Sequence, residues 1–217
     1  MRLLIKYPTR QRPAQFIATL HEYVSKLASP DLCHIVVSAD ITDPTMRQPN
    51  VLQAIRDCPV IIEINYGRNT NKIQAINADM DKAGPWDIVL LASDDMIPQV
   101  VGYDNIIREA FKDDPGAIWM WDGRQDRINT IQCLSRAEYE RLGYIYHPSY
   151  RSLWCDNEAT DVGLRDGRLA KVPGLIIKNE SPDWGGNQKQ DKLYRVNNSW
   201  YQKDQMNYQR RKAAGFP

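Results

Sequence analysis

Two adjacent carboxylates, Asp94 and Asp95, follow the apolar segment Ile88–Leu91. An unbroken run of branched aliphatic residues is typical of a strand that is buried on both faces, as in a parallel sheet. Side-by-side carboxylates at the end of such a strand repel each other, and a hard divalent cation that shares its ligands with a phosphate would offset the repulsion. The pair therefore predicts a cation site, with helix capping as the alternative and with Pro98 expected to begin the next helix.

Other residues suited to ligand binding follow two earlier apolar segments. Arg10 and Arg12 come after the first segment, and Asp40 closes the second. The fork of a guanidinium group suits phosphate, so one of the two arginines is expected to bind it. Asp40 has a simpler alternative as a turn residue, and Lys72 has one as a solvated helix residue.

The hydrophobic pattern alternates between strand and helix over the first 120 residues. Strands are predicted at 2–7, 32–39, 60–64, 88–91 and 117–121, and helices at 13–27, 49–57, 73–80 and 100–111. This order predicts an α/β fold with a mostly parallel central sheet flanked by helices, as in Rossmann-like proteins. Because ligands bind at the carboxyl ends of such strands, Thr9, Asp40, Gly67 and Asp94 are expected to surround one crevice.

The second half of the chain is less regular. A strand is predicted at 129–134, further strands at 169–177, a long loop at 179–199 and a last helix at 199–214. Ser135 and Glu138 have the spacing of a capping box for a helix at 135–142. An aromatic segment at 144–150 is either core or part of an acceptor site, since flat rings stack on sugars and bases.

Composition excludes several classes of protein. The chain has 217 residues, which suits one domain, and a formal net charge of +1 argues against bulk nucleic-acid binding. The four cysteines have no C-x-x-C spacing, so neither a cysteine metal site nor a disulfide framework is expected. No apolar stretch approaches the ~20 residues of a membrane span, and a cytoplasmic location is expected.

On these residues the chain resembles nucleotide-sugar glycosyltransferases of the A-type fold, in particular family 2, over roughly residues 1–180. The residues that carry the resemblance lie at the predicted strand ends. They are Pro8-Thr9-Arg10, Asp40, Gly67, Asn71, Lys72, Asn77 and Ala92-Ser93-Asp94-Asp95. The resemblance implies one domain, with a nucleotide-sugar half at 1–122, an acceptor and catalytic half at 123–180, and a C-terminal loop and helix at 181–217.

The resemblance also implies roles for individual residues. Asp95 would contact Mn²⁺ or Mg²⁺, Asp40 would recognise the uracil ring of a UDP-sugar, and Asp156 or Glu158 would be the catalytic base, with Asp156 favoured. The implied donor-binding residues are Pro8, Thr9, Arg10, Asp40, Gly67, Asn71, Lys72, Ser93 and Asp94.

Some implied features stay open. The family often supplies a histidine metal ligand near the end of the fold, where this chain has Asn179 and Glu180. Either residue would substitute for the histidine, or Asp95 and the diphosphate would hold the metal alone. The acceptor is a glycan, lipid, protein or modified nucleobase. The alternative functions are a nucleotidyltransferase and a non-catalytic nucleotide-sugar-binding module.

Overall fold

A seven-stranded β-sheet organises the protein, in a computed structural model that describes residues 1–181 and 191–217. The strands, in chain order, are β1 (Leu3–Thr9), β2 (Cys33–Asp40), β3 (Ile61–Gly67), β4 (Ile88–Leu91), β5 (Met96–Pro98), β6 (Ala117–Met120), β7 (Cys133–Ser135), β8 (Leu169–Val172) and β9 (Ile177–Asn179). The large sheet has the order β3-β2-β1-β4-β7-β6-β8, and β5 pairs with β9 in a separate two-stranded sheet.

Most neighbours in the large sheet run parallel. The β1–β2, β2–β3, β1–β4 and β6–β8 pairs are parallel, whereas β7 runs antiparallel to both β4 and β6. The predicted α/β class with a mostly parallel central sheet is confirmed. Since β1 to β4 point the same way, their carboxyl ends lie at one edge.

Helices cover both faces of the sheet. They are α1 (Pro13–Ser25), α2 (Pro49–Arg56), α3 (Lys72–Asn77), α4 (Tyr103–Ala110), α5 (Arg136–Leu142), α6 (Cys155–Arg165), α7 (Lys192–Asn198) and α8 (Tyr201–Ala213). Alternate residues of a strand face opposite sides of a sheet. Leu3 and Ile5 accordingly lie in one core with α1, α2 and α4, whereas Leu4 lies in a second core with α3, α5 and α6.

The segment after the acidic pair differs from the prediction. Pro98 does not begin a helix, because residues 96–98 form β5 and the Gln99 amide donates to the carbonyl of Ile176. Helix α4 begins at Tyr103, after Gly102 with a φ of 80°. A positive φ is accessible to glycine without strain, so the chain turns there before the helix.

Three further predictions need correction. The strand predicted at 129–134 is limited to Cys133–Ser135, and the side chains of Asn129 and Thr130 bond to the Ile118 carbonyl and to Asp122. The Ser135 hydroxyl caps α5, but the Glu138 carboxylate binds Arg141 and Arg168 and does not complete a capping box. The loop predicted at 179–199 contains the last residue of β9 and all of α7, while its part at 182–190 lies outside the described residues.

Among the helices at 1–181 and 191–217, none combines the length and the apolar character needed to cross a bilayer.

Candidate active site

A cleft of about 230 Å³ opens at the carboxyl edge of the parallel strands. It collects side chains from the ends of β1, β2 and β4, from the turn before α3, and from α6 and α7. The predicted site residues that line it are Pro8, Thr9, Arg10, Asp40, Asn71, Lys72, Ser93, Asp94, Asp95 and Asp156. The structure therefore brings together ten residues that are scattered between positions 8 and 156 of the sequence.

Asp94 is the buried member of the acidic pair. Its side chain is 10% exposed, and one of its oxygens lies 3.2 Å from Nη1 of Arg12. Burial raises the pKa of the Asp94 carboxyl and repulsion from Asp95 adds to the rise, while Arg12 acts in the opposite direction. The positive charge that the acidic pair needs is thus supplied in part by the protein.

Arg12 also reaches the C-terminal part of the chain. Its Nε and Nη2 donate to the two carboxylate oxygens of Asp191 at 2.6 and 2.9 Å. Asp191 in turn caps α7 by accepting from the amide of Tyr194. The guanidinium group therefore links the acidic turn to a helix that lines the cleft, and it is not a free phosphate ligand.

Asp95 faces the cleft at the tip of the turn. Its carboxylate accepts a hydrogen bond from the Ser93 hydroxyl, and its carbonyl accepts one from the Glu180 amide at 2.6 Å. The turn is closed by the Met96 amide, which donates to the carbonyl of Ser93 at 3.1 Å. These bonds fix the Asp95 backbone beside β9, so its carboxylate has a defined position at the cleft.

The donor set around Asp95 suits a hard cation that brings further oxygen ligands with it. Within residues 1–181 and 191–217, no three acidic, histidine or cysteine side chains converge in a metal-binding arrangement. Asn179 lines the cleft, where its side-chain oxygen accepts from the Ser181 amide, whereas Glu180 pairs with Arg124 and Lys178. Mg²⁺ and similar cations are commonly held by one or two carboxylates plus substrate phosphates, which fits this arrangement.

Asp40 lies at the end of β2 and is buried. One of its oxygens accepts from the amide and the hydroxyl of Thr42, at 2.8 and 2.7 Å. The other oxygen lies 3.5 Å from Nη1 of Arg10. Asp40 therefore stabilises the turn, as the simpler alternative predicted. Its other carboxylate oxygen lies at the cleft beside Arg10.

The turn before α3 contributes another part of the cleft wall. Asn71 caps α3 by accepting from the Gln74 amide at 3.0 Å. Lys72 follows at the first position of the helix, and its side chain is exposed at the cleft. Asn77, at the end of α3, bonds to the backbone of Ile145 and Tyr146 and so fixes the aromatic segment against the helix.

Asp156 lies in the first turn of α6 and lines the cleft. It is not the helix cap, because Trp154 occupies that position with a φ of 64°. Burial raises the pKa of the Asp156 carboxyl, and the positive charge of Lys72 acts in the opposite direction. A carboxylate with a raised pKa accepts a proton more readily than an exposed one.

Two predicted site residues lie outside the cleft. Gly67 ends β3, and a Cβ added there would meet the side chain of Asn69, which does line the cleft. Glu158 is 4% exposed and forms a bidentate pair with Arg211, besides accepting from the Tyr150 hydroxyl at 2.7 Å. The helical periodicity of α6 explains this, because residues two positions apart point in different directions.

The structure adds cleft residues that the sequence pattern did not indicate. They come from the 151–153 turn and from α7 with its following residues, and they include Arg151, Ser152, Leu153, Leu193, Asn197 and Trp200. The 151–153 turn is held by the buried carboxylate of Asp204, which accepts from the amides of all three residues. The sequence analysis did not single out Asp204, because one acid in an otherwise polar helix does not show that it will be buried.

No family model and no curated protein matches the chain. Solved structures do match: the mannosyltransferase PcManGT from Pyrobaculum calidifontis, in complex with GDP-Man and Mn²⁺, has a TM-score of 0.65 at 14% identity, over 82% of this chain and 56% of that one. TarS from S. aureus, as residues 1–349 in complex with UDP-GlcNAc, has a TM-score of 0.64 at 13% identity, over 89% of this chain and 60% of that one.

A further structure of TarS has a TM-score of 0.63 at 13% identity and covers 82% of this chain. The chain spans 36% of that protein and 56% to 60% of the other two. The predicted resemblance to nucleotide-sugar glycosyltransferases of the A-type fold is confirmed at the level of the fold.

Proposed function

We propose that the chain is a metal-dependent glycosyltransferase of the hexosyltransferase type, which moves a sugar from a UDP-sugar to an acceptor hydroxyl with inversion. The observation that carries the proposal is the shared cleft of Asp40, Asp95 and Asp156. The fold neighbours support it, because PcManGT was solved with GDP-Man and Mn²⁺ and TarS with UDP-GlcNAc.

The donor end of the cleft would hold the nucleotide. Asp40 would accept from an N–H of the base, and Arg10 lies beside it at 3.5 Å. Thr9 and Ser93 line the same cleft. Lys72 and the acidic turn lie on the same cleft, where the lysine would contact the diphosphate as a point charge.

The metal role follows from the chemistry of the leaving group. Mn²⁺ or Mg²⁺, when bound, supplies Lewis-acid stabilisation of the departing diphosphate. Asp95 would hold the cation through its carboxylate, with the diphosphate as the other anionic ligand. Arg12 lies beside Asp94, acts against the rise of its pKa and limits the repulsion within the acidic pair.

Asp156 would be the catalytic base. It would take the proton of the acceptor hydroxyl while that oxygen forms a bond to the anomeric carbon and the bond from this carbon to the diphosphate oxygen breaks. A direct displacement of this kind inverts the anomeric centre. The raised pKa of Asp156 suits the role, because a general base works best when its pKa approaches the operating pH.

The test of the base compares Asp156→Asn with Asp161→Asn, a control on the same helix whose side chain bonds to Tyr208 and Lys212 outside the cleft. Asp156→Asn is expected to lower the transfer rate by about 10²–10⁴-fold and to leave UDP affinity in place. Full transfer by Asp156→Asn would assign the base to another residue.

The test of the donor is hydrolysis of a panel of UDP-, GDP- and CDP-sugars with and without Mn²⁺. Turnover of a UDP-sugar that depends on the metal supports the proposal. Binding of UDP with no turnover of any sugar, in the presence of a broad set of acceptors, would favour a non-catalytic binding module.

A further inference from the structure

Thr160 ties the helix that carries Asp156 to a segment earlier in the chain. Its side chain is buried, and its hydroxyl donates to the carbonyl of Asp156 at 2.7 Å and accepts from the amide of Asn129 at 2.9 Å. The first bond is local, since threonine hydroxyls in helices can bond to the carbonyl four residues earlier. The second bond comes from 31 positions away, so the first turn of α6 is fixed from outside the helix.

The segment that contains Asn129 is itself held against the large sheet. The Asn129 side chain donates through Nδ2 to the carbonyl of Ile118 in β6 at 3.1 Å. Three residues later, the carbonyl of Gln132 accepts from the amide of Leu91 in β4 at 2.9 Å. Because both bonds join the segment to strands of the sheet, the amide that reaches Thr160 has a fixed position.

Asp122 connects this segment with the acidic turn. Its buried carboxylate accepts from the hydroxyl of Thr130 at 2.9 Å, and its carbonyl accepts from the amide of Asn179 in β9 at 2.9 Å. The amide of Glu180, next in the chain, donates to the carbonyl of Asp95 at 2.6 Å. A path of hydrogen bonds and neighbouring residues therefore runs from the residue expected to hold the metal to the residue expected to act as the base.

The Asp122 carboxylate accepts four hydrogen bonds from uncharged groups. One oxygen accepts from the amides of Arg124 and Gln125 at 2.8 and 2.9 Å, and the other accepts from the side chains of Gln125 and Thr130, both at 2.9 Å. These bonds offset the cost of removing a carboxylate from water. An asparagine would not replace Asp122, because its NH₂ group cannot accept from the last two donors.

We propose that Thr160 and Asp122 are positioning residues for sugar transfer, which hold the base Asp156 at a fixed separation from the metal residue Asp95. The inference rests on the proposed function, because it assigns what aligns the base with the leaving group of that same site. Neither Thr160 nor Asp122 belongs to the described residues that line the cleft, so each acts through its neighbours. A small misplacement of reacting groups lowers a reaction rate steeply, and the base must therefore keep its place as the diphosphate leaves.

A purely stabilising role is the alternative, and it predicts a different result. If the bonds serve stability alone, Thr160→Val lowers the melting temperature and leaves Asp156 in place in the folded protein. If they position the base, the folded variant also loses the native separation between Asp156 and the metal. A measurement of that separation therefore distinguishes the two roles.

The test measures this separation by NMR in the full chain, with ¹³C-labelled aspartate, saturating UDP and Mg²⁺, and a trace of Mn²⁺. Paramagnetic relaxation of the Asp156 carboxyl carbon reports its distance from the bound manganese, and the signal is assigned by its loss in Asp156→Asn. Thr160→Val and Asp122→Asn are expected to change the relaxation rate of this carbon, whereas Thr160→Ser, which keeps the hydroxyl, is expected to retain it. Tyr208→Phe removes a hydrogen bond to Asp161 on the same helix, outside the cleft, and serves as the unchanged control.

UDP affinity, melting temperature and the hydrolysis of UDP-GlcNAc are measured in every variant. The positioning role predicts that Thr160→Val lowers kcat by about tenfold or more with unchanged UDP affinity, and that Thr160→Ser restores it. If the wild type binds UDP without hydrolysing UDP-GlcNAc, the relaxation rates alone decide.

Two results would overturn the inference. One is a Thr160→Val protein with a lower melting temperature and the relaxation rate of the wild type, and the other is the same change of relaxation in Tyr208→Phe. A change in Thr160→Val without one in Asp122→Asn would overturn the part assigned to Asp122. Failure of the wild type to bind UDP, or bound manganese that does not relax Asp156, would contradict the proposed function itself, separately from any difference between the variants.

Discussion

The buried Glu158–Arg211 pair allows a structural role of Glu158 to be tested separately from a catalytic one. Glu158 accepts three hydrogen bonds in the interior: from Tyr150 at 2.7 Å, and from Nε and Nη2 of Arg211 at 2.7 and 2.8 Å. The two side chains are 4% and 7% exposed. Glu158→Ala would leave the guanidinium charge of Arg211 and the hydroxyl of Tyr150 buried without this partner.

The expected cost is large because the charge cannot reach water. Breaking a buried ion pair by removing one partner destabilises proteins by about 3–5 kcal/mol. For a domain of 150–250 residues, 1 kcal/mol shifts the melting temperature by roughly 2–4 °C, so Glu158→Ala is expected to lower it by roughly 6–20 °C. The loss also removes one of the contacts between α8 and α6, since Arg211 lies on α8 and Glu158 on α6.

The assay is thermal and urea unfolding of Glu158→Ala beside two controls. Glu140→Gln removes an exposed pair with Arg136 and is expected to cost at most about 1 kcal/mol. The double variant Glu158→Leu with Arg211→Met replaces the buried pair with apolar side chains and is expected to recover most of the loss.

Transfer activity decides between the two roles. The folded double variant is expected to keep the transfer rate, because its changes lie outside the cleft. If Glu158→Ala melts like the wild type and loses transfer, the reasoning is refuted and Glu158 is the base.

Three further expectations concern stability and the cleft. Burial lowers the pKa of Lys6 to about 7, so the unfolded chain holds more protons than the folded one between pH 7 and about 10. The free energy of unfolding should therefore rise with pH over this window, by up to about 1.4 kcal/mol per pH unit more than in Lys6→Met. The prediction is contradicted if the urea midpoints of the two proteins change by the same amount between pH 7 and 9.5. Asp204→Asn should release the 151–153 turn and lower the unfolding free energy by about 1–3 kcal/mol, seen as faster amide exchange at Ser152; unchanged exchange would count against the contact. Asp191→Asn should weaken the Arg12 contact with α7 and raise the amide exchange of Tyr194 without changing that of β1, whereas equal exchange in both proteins would show that the pair does not hold the helix.

The sequence predicted the first half of the fold well because its signals are local. Uninterrupted apolar runs gave the first four strands, and the polar residues that follow them gave the edge of the cleft. Parallel strands share an edge, so Thr9, Asp40 and Asp94 were expected to meet there, and all three line the cleft.

The second half was predicted less well because its structure depends on long-range contacts. β5 is three residues long and exists through its pairing with β9, some 80 positions later. α7 has little amphipathic pattern, and Arg12 and Asp191 connect it to the acidic turn across the whole chain. Such pairs leave no periodic signal in the sequence.

The two candidate bases show the limit of motif reasoning. Asp156 and Glu158 are two positions apart, and the sequence alone favoured one without excluding the other. The buried Arg211, more than 50 residues away, accounts for the position of Glu158. An arginine in a basic C-terminal cluster gave no sign that it would be buried in the core.

A crystal structure with UDP and Mn²⁺, with anomalous data collected to locate the manganese, tests the proposed site most directly. The account predicts a manganese peak in bonding contact with an Asp95 carboxylate oxygen and with the diphosphate, and a uracil ring against Asp40. UDP bound elsewhere, or a diphosphate bound in the cleft with the manganese away from Asp95, would contradict it.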